Sequence, residues 1–275
     1  MERVASLSAS LEALIDKIST PIRPYLPVVA RFLLVVTFLE DSLRIVTQWD
    51  DQTYYLERHR GFPWGIAHLF LMLNVVAMTT CSVLAIAKKR TEVAVSVLFG
   101  VIVAQSVGYG LIFDGGFFLR NLSVAGGLLL LVFEAWSSRS KKNIFPTPFM
   151  SVSETDKAAY LALFGRILLV CLFLSFILAG EWSLLRVVIS IIAFAACVMV
   201  VVGFKAKWTA GFMVMFLSVS NVLLNNWWSL HHLHPSRDFL KYDFFQTLSI
   251  MGGFLLLSNL GPGTLSHLLF SFPVY

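Results

Sequence analysis

Charged residues are scarce in this chain of 275 residues: they make up 13% of it, whereas 57% of the residues are hydrophobic. A typical soluble domain carries about 25% charged residues. No charged stretch of the chain is long enough to hold a soluble domain. The composition therefore excludes a water-soluble globular protein and predicts an integral membrane protein.

Cysteines are also few, and Cys81, Cys171 and Cys197 all lie inside apolar runs. Their spacing excludes a disulfide framework and a zinc site. The sequence has no phosphate-binding loop, nucleophile elbow or metal signature. We therefore predict no enzyme activity, no cofactor and no metal. The net charge of +5 is spread over loops, so no nucleic-acid partner is predicted.

Long apolar runs, by contrast, are abundant. A helix needs about 20 mainly apolar residues to cross a bilayer, and helices are favoured because lipid cannot satisfy free backbone groups. We predict about eight transmembrane helices, so the expected fold class is an all-α integral membrane protein. The predicted spans are Pro27–Val46, Trp64–Ala87, Val93–Phe113, Phe117–Trp136, Tyr160–Ala179, Leu184–Gly203, Trp208–Trp227 and Asp243–Leu260.

Basic residues are concentrated in alternate loops. The loops on one side contain Arg3, Lys17, Arg23, Lys88, Lys89, Arg90, Arg139, Lys141, Lys142, Lys157, Lys205 and Lys207. The opposite loops contain Arg58, Arg60, Arg237 and Lys241. The positive-inside rule places the first set in the cytosol, and both termini with it.

Two segments of the chain recur in the same order. Arg31–Leu39 resembles Arg166–Leu174, and Leu122–Gly127 resembles Leu248–Gly253. We interpret this as two four-helix repeats, which must be parallel because each has an even number of helices. The repeats would be related by a pseudo-twofold axis along the membrane normal, with a site where they meet. The alternative is chance similarity between leucine-rich helices.

This duplication predicts the domain organisation. A cytosolic N-terminal segment covers residues 1–25 and the first repeat 26–137. A cytosolic linker covers 138–158 and the second repeat 159–263. The tail, 264–275, would be cytosolic or interfacial.

Ionisable and polar side chains lie inside the spans at two levels. The level nearer the non-cytosolic side contains Glu40, Asp41, Arg44, Arg120, Asn121, Tyr242, Asp243 and Gln246. Such residues are costly in a membrane and usually face a protein interior or a wet cavity. We interpret this level as a polar vestibule; the alternative is a structural ion-pair layer. Glu40 and Arg44 share a helix face, whereas Asp41 has no evident partner in its own helix.

The level nearer the cytosol contains Arg31, Glu134 and Arg166. We interpret it as a structural charge layer in which Glu134 compensates one of the arginines. Paired glycines at 126–127 and 252–253 predict close helix packing.

The first predicted span and the residues just after it contain Ala30-Arg31, Thr37–Asp41, Arg44 and Gln48-Trp49. This set resembles the first span of the Surfeit locus protein 4 family. A more specific similarity is Asp238–Gln246 followed by Leu248-Ser249 and Gly252-Gly253. Arg120–Leu122, Gly203–Lys205 and Leu260–Gly263 agree as well. The resemblance extends from about Tyr25 to Gly263.

The resemblance implies a cargo receptor of the endoplasmic reticulum (ER) membrane, each half with a DoxX-like fold. Such receptors bind soluble secretory proteins in the lumen through short hydrophobic N-terminal signals, bind the COPII coat in the cytosol, and cycle through the intermediate compartment and Golgi. Other cargo receptors and membrane lipids are further expected partners. Family members usually end in a dilysine retrieval signal, but Ser271–Tyr275 contains no lysine.

Two other functions compete with this one. A lipid or small-molecule transporter or scramblase would also suit a duplicated bundle with intramembrane charges. A redox subunit would suit DoxX-like relatives, but the sequence offers no cofactor ligands. A receptor requires polar residues at the lumenal mouth, whereas a transporter requires a continuous polar path to the cytosol.

The cargo hypothesis predicts a lumenal cavity between the repeats, lined by Glu40, Asp41, Tyr242, Asp243 and aromatic residues. The α-amine of a mature N-terminus is mostly cationic at neutral pH. Carboxylates at the mouth of a low-dielectric cavity would attract it more strongly than a surface pair would. We expect the remaining residues of the lumenal level to belong to the same cargo-binding site.

Overall fold

The computed structural model describes residues 24–111, 115–142, 206–231 and 237–260, together with positions 167, 191 and 198. These ranges contain seven α-helices, one 3-10 helix and no strand, which confirms the all-α class for the described part. The helices are α1 (Leu26–Thr47), α2 (Trp49–Arg58), α3 (Trp64–Ile86), α4 (Thr91–Gly108), α5 (Gly115–Lys142), α6 (Ala206–Leu224) and α7 (Arg237–Leu260), and the 3-10 helix is Trp227–Ser229.

Within the described ranges, three segments are long and apolar enough to cross a membrane: α3, α4 and Thr209–Ser229. A shorter apolar stretch, Val124–Trp136, lies in α5. On α3, Leu69 and Leu73 are exposed while Leu71 is fully buried. Large apolar side chains on the outer face are expected when the surrounding solvent is lipid.

The predicted fifth and sixth spans, Tyr160–Ala179 and Leu184–Gly203, lie outside the described residues apart from the three single positions. Most of the predicted N-terminal segment, the predicted linker from residue 143 and the tail lie outside them too. The count of eight spans and the two-repeat arrangement therefore stay predictions.

Two helix boundaries at the predicted lumenal level differ from the predicted ones. Helix α4 ends at Gly108 instead of Phe113, because Gly110 follows with a φ of 71°, a left-handed conformation that ends helices. Helix α7 begins at Arg237 instead of Asp243, because its first turns are polar and hydropathy does not detect them. Helix α5 also continues past the predicted end at Trp136 to Lys142.

An antiparallel seam joins α1 to α7, and α7 makes its most extensive contacts there. Thr37 Oγ1 donates to the carbonyl oxygen of Phe245 at 3.0 Å, and Ser249 Oγ donates to that of Leu34 at 2.5 Å. A Cβ at Gly252 would lie 2.7 Å from the carbonyl oxygen of Ala30, so only glycine permits this approach. Close packing at Gly252 is thus confirmed, and the first helix packs directly on the last described one.

A buried ion pair closes the end of the bundle where α1 begins. Arg31 Nε donates to Glu134 Oε2 at 2.8 Å, and its Nη2 pairs with the other carboxylate oxygen. Lys88 Nζ lies 3.3 Å from the same carboxylate. Arg31 and Glu134 are each 5% exposed, so the pair replaces the hydration that both charges lose. Arg166 lies outside the described residues.

The layer above this ion pair is mainly apolar and contains no charged side chain among the described residues. Leu34 of α1 and Leu128 and Leu131 of α5 are all fully buried. This layer separates the two polar levels of the described helices.

Candidate functional site

A cavity of about 700 Å³ lies at the opposite end of the bundle, where α1 ends. Helices α1, α2, α4, α5 and α7 supply most of its walls. Its lining residues are Thr37, Phe38, Asp41, Arg44, Asp51, Gln52, Tyr55, Ile102, Gln105, Tyr109, Leu111, Asn121, Val124, Phe239 and Tyr242. The basic-residue pattern of the loops predicts that this end faces the lumen.

One wall of the cavity is α2, which the sequence interpretation assigned to a loop. The backbone leaves α1 at Gln48, with φ −115° and ψ 35°, and a new helix begins at Trp49. The acidic residues of the first turn suit the positive end of this helix. Leu56 is fully buried and anchors α2 to the bundle. Tyr55 of α2 lines the cavity.

Asp41 lies at the base of the cavity and is fully partnered. One carboxylate oxygen pairs with Arg44 Nη2, and the other accepts a hydrogen bond from Gln105 Nε2 at 2.5 Å. This corrects the expectation that Asp41 lacks a partner in its own helix. Residues three or four positions apart are both neighbours on the surface of a helix. Spacing alone therefore does not decide whether Arg44 pairs with Asp41 or with Glu40.

Glu40 pairs instead with the last helix. Lys241 Nζ of α7 lies 3.1 Å from Glu40 Oε1. Glu40 is 5% exposed and does not line the cavity. This ion pair therefore links α1 to the start of α7 beside the cavity.

Aromatic rings form much of the remaining wall. The rings of Tyr55 and Tyr109 stack with centroids 6.1 Å apart, and the Arg44 guanidinium lies 5.5 Å from the Tyr242 ring centroid. Burial, with a smaller contribution from the charge of Asp41, raises the pKa of the Tyr109 phenol above its ordinary value. Tyr109 is therefore neutral at physiological pH and can donate a hydrogen bond.

Arg60 fixes the end of α4 beside the cavity. Its Nε donates to the carbonyl oxygen of Gly108 at 2.9 Å, and its Nη2 donates to that of Val107 at 3.1 Å. A cation is favourable at a helix C-terminus, where carbonyl groups lack partners. The contact positions Tyr109, which follows directly.

Of the predicted cargo-binding residues, Asp41, Arg44, Asn121 and Tyr242 line the cavity. Glu40, Asp243 and Gln246 do not, and Gln246 is 3% exposed. Arg120 lies on α5, but its side chain is outside the described part.

Sequence reasoning missed Asp51, Gln52, Tyr55, Gln105 and Tyr109. The sequence could have identified Gln105 as a candidate site residue, since it is a polar residue inside an apolar span. The α2 residues had none, because a short polar segment between spans is typical of a loop. Within the described ranges, no group of three His, Cys, Asp or Glu side chains could hold a metal ion.

Comparison with known proteins places the chain in a family. The family model described as "SURF4 family" matches residues 5–268. A Surfeit locus protein 4 homolog of Schizosaccharomyces pombe is 45% identical over 249 residues, which are 90% of this chain and 82% of that protein. The ER-derived vesicles protein ERV29 of Saccharomyces cerevisiae is 37% identical over 262 residues, 94% of this chain and 81% of that protein. A Surfeit locus protein 4 homolog of Drosophila melanogaster is 38% identical over 241 residues, 88% of each chain.

No solved structure matches the chain. The family model spans almost the whole sequence, and these relatives align with it over most of their own lengths. The chain belongs to the SURF4 family.

Proposed function

We propose that this protein is a cargo receptor of the ER membrane that binds soluble secretory proteins in the lumen and loads them into COPII vesicles. One relative is named an ER-derived vesicles protein, which supports a role in vesicle transport. The observation that carries the proposal is the cavity of about 700 Å³ at the predicted lumenal end.

The dimensions of the cavity support recognition of a short signal. Ligand pockets typically have volumes of about 300–1,000 Å³. A cavity in this range accommodates a few residues and not a folded domain, so the bound part is the N-terminal segment of the cargo. Phe38, Ile102 and Val124 offer apolar contacts to hydrophobic side chains of that segment. The described lining, with two aspartates and one arginine, offers charge complementarity to its α-amine.

The apolar layer below the cavity favours a receptor over a transporter or scramblase. Leu34, Leu128 and Leu131 are fully buried between the cavity and the Arg31–Glu134 ion pair. A transported solute would require polar groups along that path. In the described helices the charged side chains lie instead at the two ends.

The cytosolic side of the proposal rests on the family and the loop charges. Both termini would lie in the cytosol, where coat proteins assemble. The receptor would cycle through the intermediate compartment and the Golgi. Other cargo receptors and membrane lipids are its further proposed partners.

The test is to fill the cavity without changing the rest of the bundle. Ile102 of α4 lines the cavity, whereas its neighbour Val103 is 61% exposed on the outer face. We expect Ile102→Trp to lower capture of secretory proteins in a reconstituted COPII budding assay by about tenfold, which corresponds to about 1.4 kcal/mol of binding free energy. Val103→Trp, the matched control, should capture cargo normally.

Packaging of the receptor itself into the vesicles reports that each variant is folded and exported. Normal cargo capture by a packaged Ile102→Trp variant would refute the cavity as the cargo site.

A further inference from the structure

The charge balance of the cavity depends on which of its carboxylates is already neutralised. One carboxylate oxygen of Asp41 forms an ion pair with Arg44, and the other accepts a hydrogen bond from Gln105. Asp41 and Arg44 together contribute no net charge to the cavity. Asp41, which was expected to attract the cationic amine of the cargo, is therefore already paired.

Asp51 is the other carboxylate in the lining. It lies in the first turn of α2 and is exposed to the cavity. Among the described residues, its carboxylate takes part in no hydrogen bond or ion pair. Because Asp41 and Arg44 cancel, Asp51 gives the described lining residues a net charge of about −1.

Tyr55 lies one helical turn after Asp51 and also lines the cavity. Residues four apart share a helix face, so a cation held by Asp51 lies on the same face of α2 as this ring. The Tyr55 ring stacks on His59 and Tyr109, and the Tyr242 ring carries the Arg44 guanidinium. Asp51 therefore supplies the charge, and Tyr55 supplies an aromatic wall beside it.

We propose that Asp51 is the carboxylate that binds the ligand's primary ammonium group, with Tyr55 beside it, and that Asp41 is a positioning residue that fixes Gln105 and Arg44. This assignment rests on the proposed function and names the residue that distinguishes a free N-terminus from a blocked one. Helix α2 supplies the charge selectivity, and α1 supplies the framework.

Asp50 provides a matched control. It lies next to Asp51 in the same first turn, is also exposed, and does not line the cavity. If Asp51 only stabilised the N-terminus of α2 through the helix dipole, Asp50 would contribute similarly. The two aspartates therefore separate ligand binding from helix stabilisation.

The experiment measures binding of two fluorescent peptides to the purified full-length protein in nanodiscs. Both peptides begin with the same three apolar residues; one has a free α-amine and the other is N-acetylated. We expect the wild-type protein to bind the free-amine peptide about tenfold more tightly, a ratio equivalent to about 1.4 kcal/mol. Asp51→Asn should abolish that preference, Asp51→Glu should retain part of it, and Asp50→Asn should retain all of it.

The double variant Asp41→Asn with Arg44→Gln tests the positioning role, because it removes both charges of the pair and keeps the net charge of the lining. We expect it to weaken binding of both peptides equally and to leave the preference for the free amine intact. Loss of the preference in this double variant, together with its retention in Asp51→Asn, would reverse the two assignments and overturn the proposal. Equal effects of Asp50→Asn and Asp51→Asn would also overturn it.

The Ile102→Trp variant separates failure of this assignment from failure of the proposed function. If Ile102→Trp loses both peptides while Asp51→Asn keeps the preference, the cavity binds cargo but Asp51 does not bind the amine. If the wild-type protein binds neither peptide, recognition of hydrophobic N-terminal signals is wrong and this assignment falls with it.

Discussion

At the residue scale, Glu134 controls the stability of the end of the bundle opposite the cavity. It is 5% exposed and forms ion pairs with both Arg31 and Lys88. Removal of one partner of a buried ion pair leaves a charge without compensation, which typically costs about 3–5 kcal/mol. The site is therefore more sensitive to loss of one charge than to loss of the whole pair.

We predict that Glu134→Gln lowers the free energy of unfolding by about 3–5 kcal/mol. The measurement is the thermal midpoint of the protein in detergent. Glu92→Gln is the control, because a glutamine still accepts the hydrogen bond that Glu92 accepts from the half-exposed Trp136 indole at 2.8 Å, and the change should cost no more than about 1 kcal/mol.

The double variant Arg31→Met with Glu134→Leu should recover much of the stability, since apolar residues of similar volume often replace buried ion pairs without loss. An equally low midpoint in Glu134→Gln and the double variant would contradict this account.

At the scale of elements, the α1–α7 seam determines the geometry of the cavity. The Lys241–Glu40 ion pair and the Thr37 hydrogen bond lie on this seam near the cavity, and Gly252 lies further along it. Tyr242, which lines the cavity, is carried by the same helix. A larger separation of α1 and α7 at Gly252 is therefore expected to alter the position of Tyr242 in the cavity wall.

We predict that Gly252→Ala destabilises the protein by about 1–3 kcal/mol, because the added methyl group meets backbone that cannot move away. Gly211→Ala in α6 is the control. A Cβ there has no neighbour within 4 Å, so the change should stabilise the helix by about 0.5–1 kcal/mol.

Thermal midpoints and peptide affinities of the two variants give the comparison. Gly252→Ala should lower both, whereas Gly211→Ala should lower neither. A Gly252→Ala variant with wild-type values would refute the close-packed seam.

At the scale of the whole molecule, the positive-inside rule predicts that the cavity faces the lumen. Two exposed positions test this. Tyr54 lies on α2 and is 61% exposed, and Lys89 lies in the loop between α3 and α4 at the other end. We expect a membrane-impermeant maleimide to label Lys89→Cys in intact microsomes and Tyr54→Cys only after permeabilisation. The variants are made in a background without the three native cysteines, and the opposite labelling pattern would invert the topology.

Local sequence properties determined the helical class, the bounds of α1 and α3, and the family. The length of an apolar run decides whether a helix can cross a bilayer, and this depends on residues adjacent in the chain. The motifs around Arg31, Asp41 and Asp238 are also continuous in sequence, so they indicated the family without a structure.

Only the tertiary structure decided how the cavity is built. The pairing of Asp41 with Gln105 and of Glu40 with Lys241 depends on which helices pack together, and no pattern within one helix encodes that choice. The placement of Asp51 follows from the direction that α2 takes after the break at Gln48. Anchoring of α2 by buried Leu56 is a contact between distant parts of the chain, so its free energy arises only when the bundle assembles.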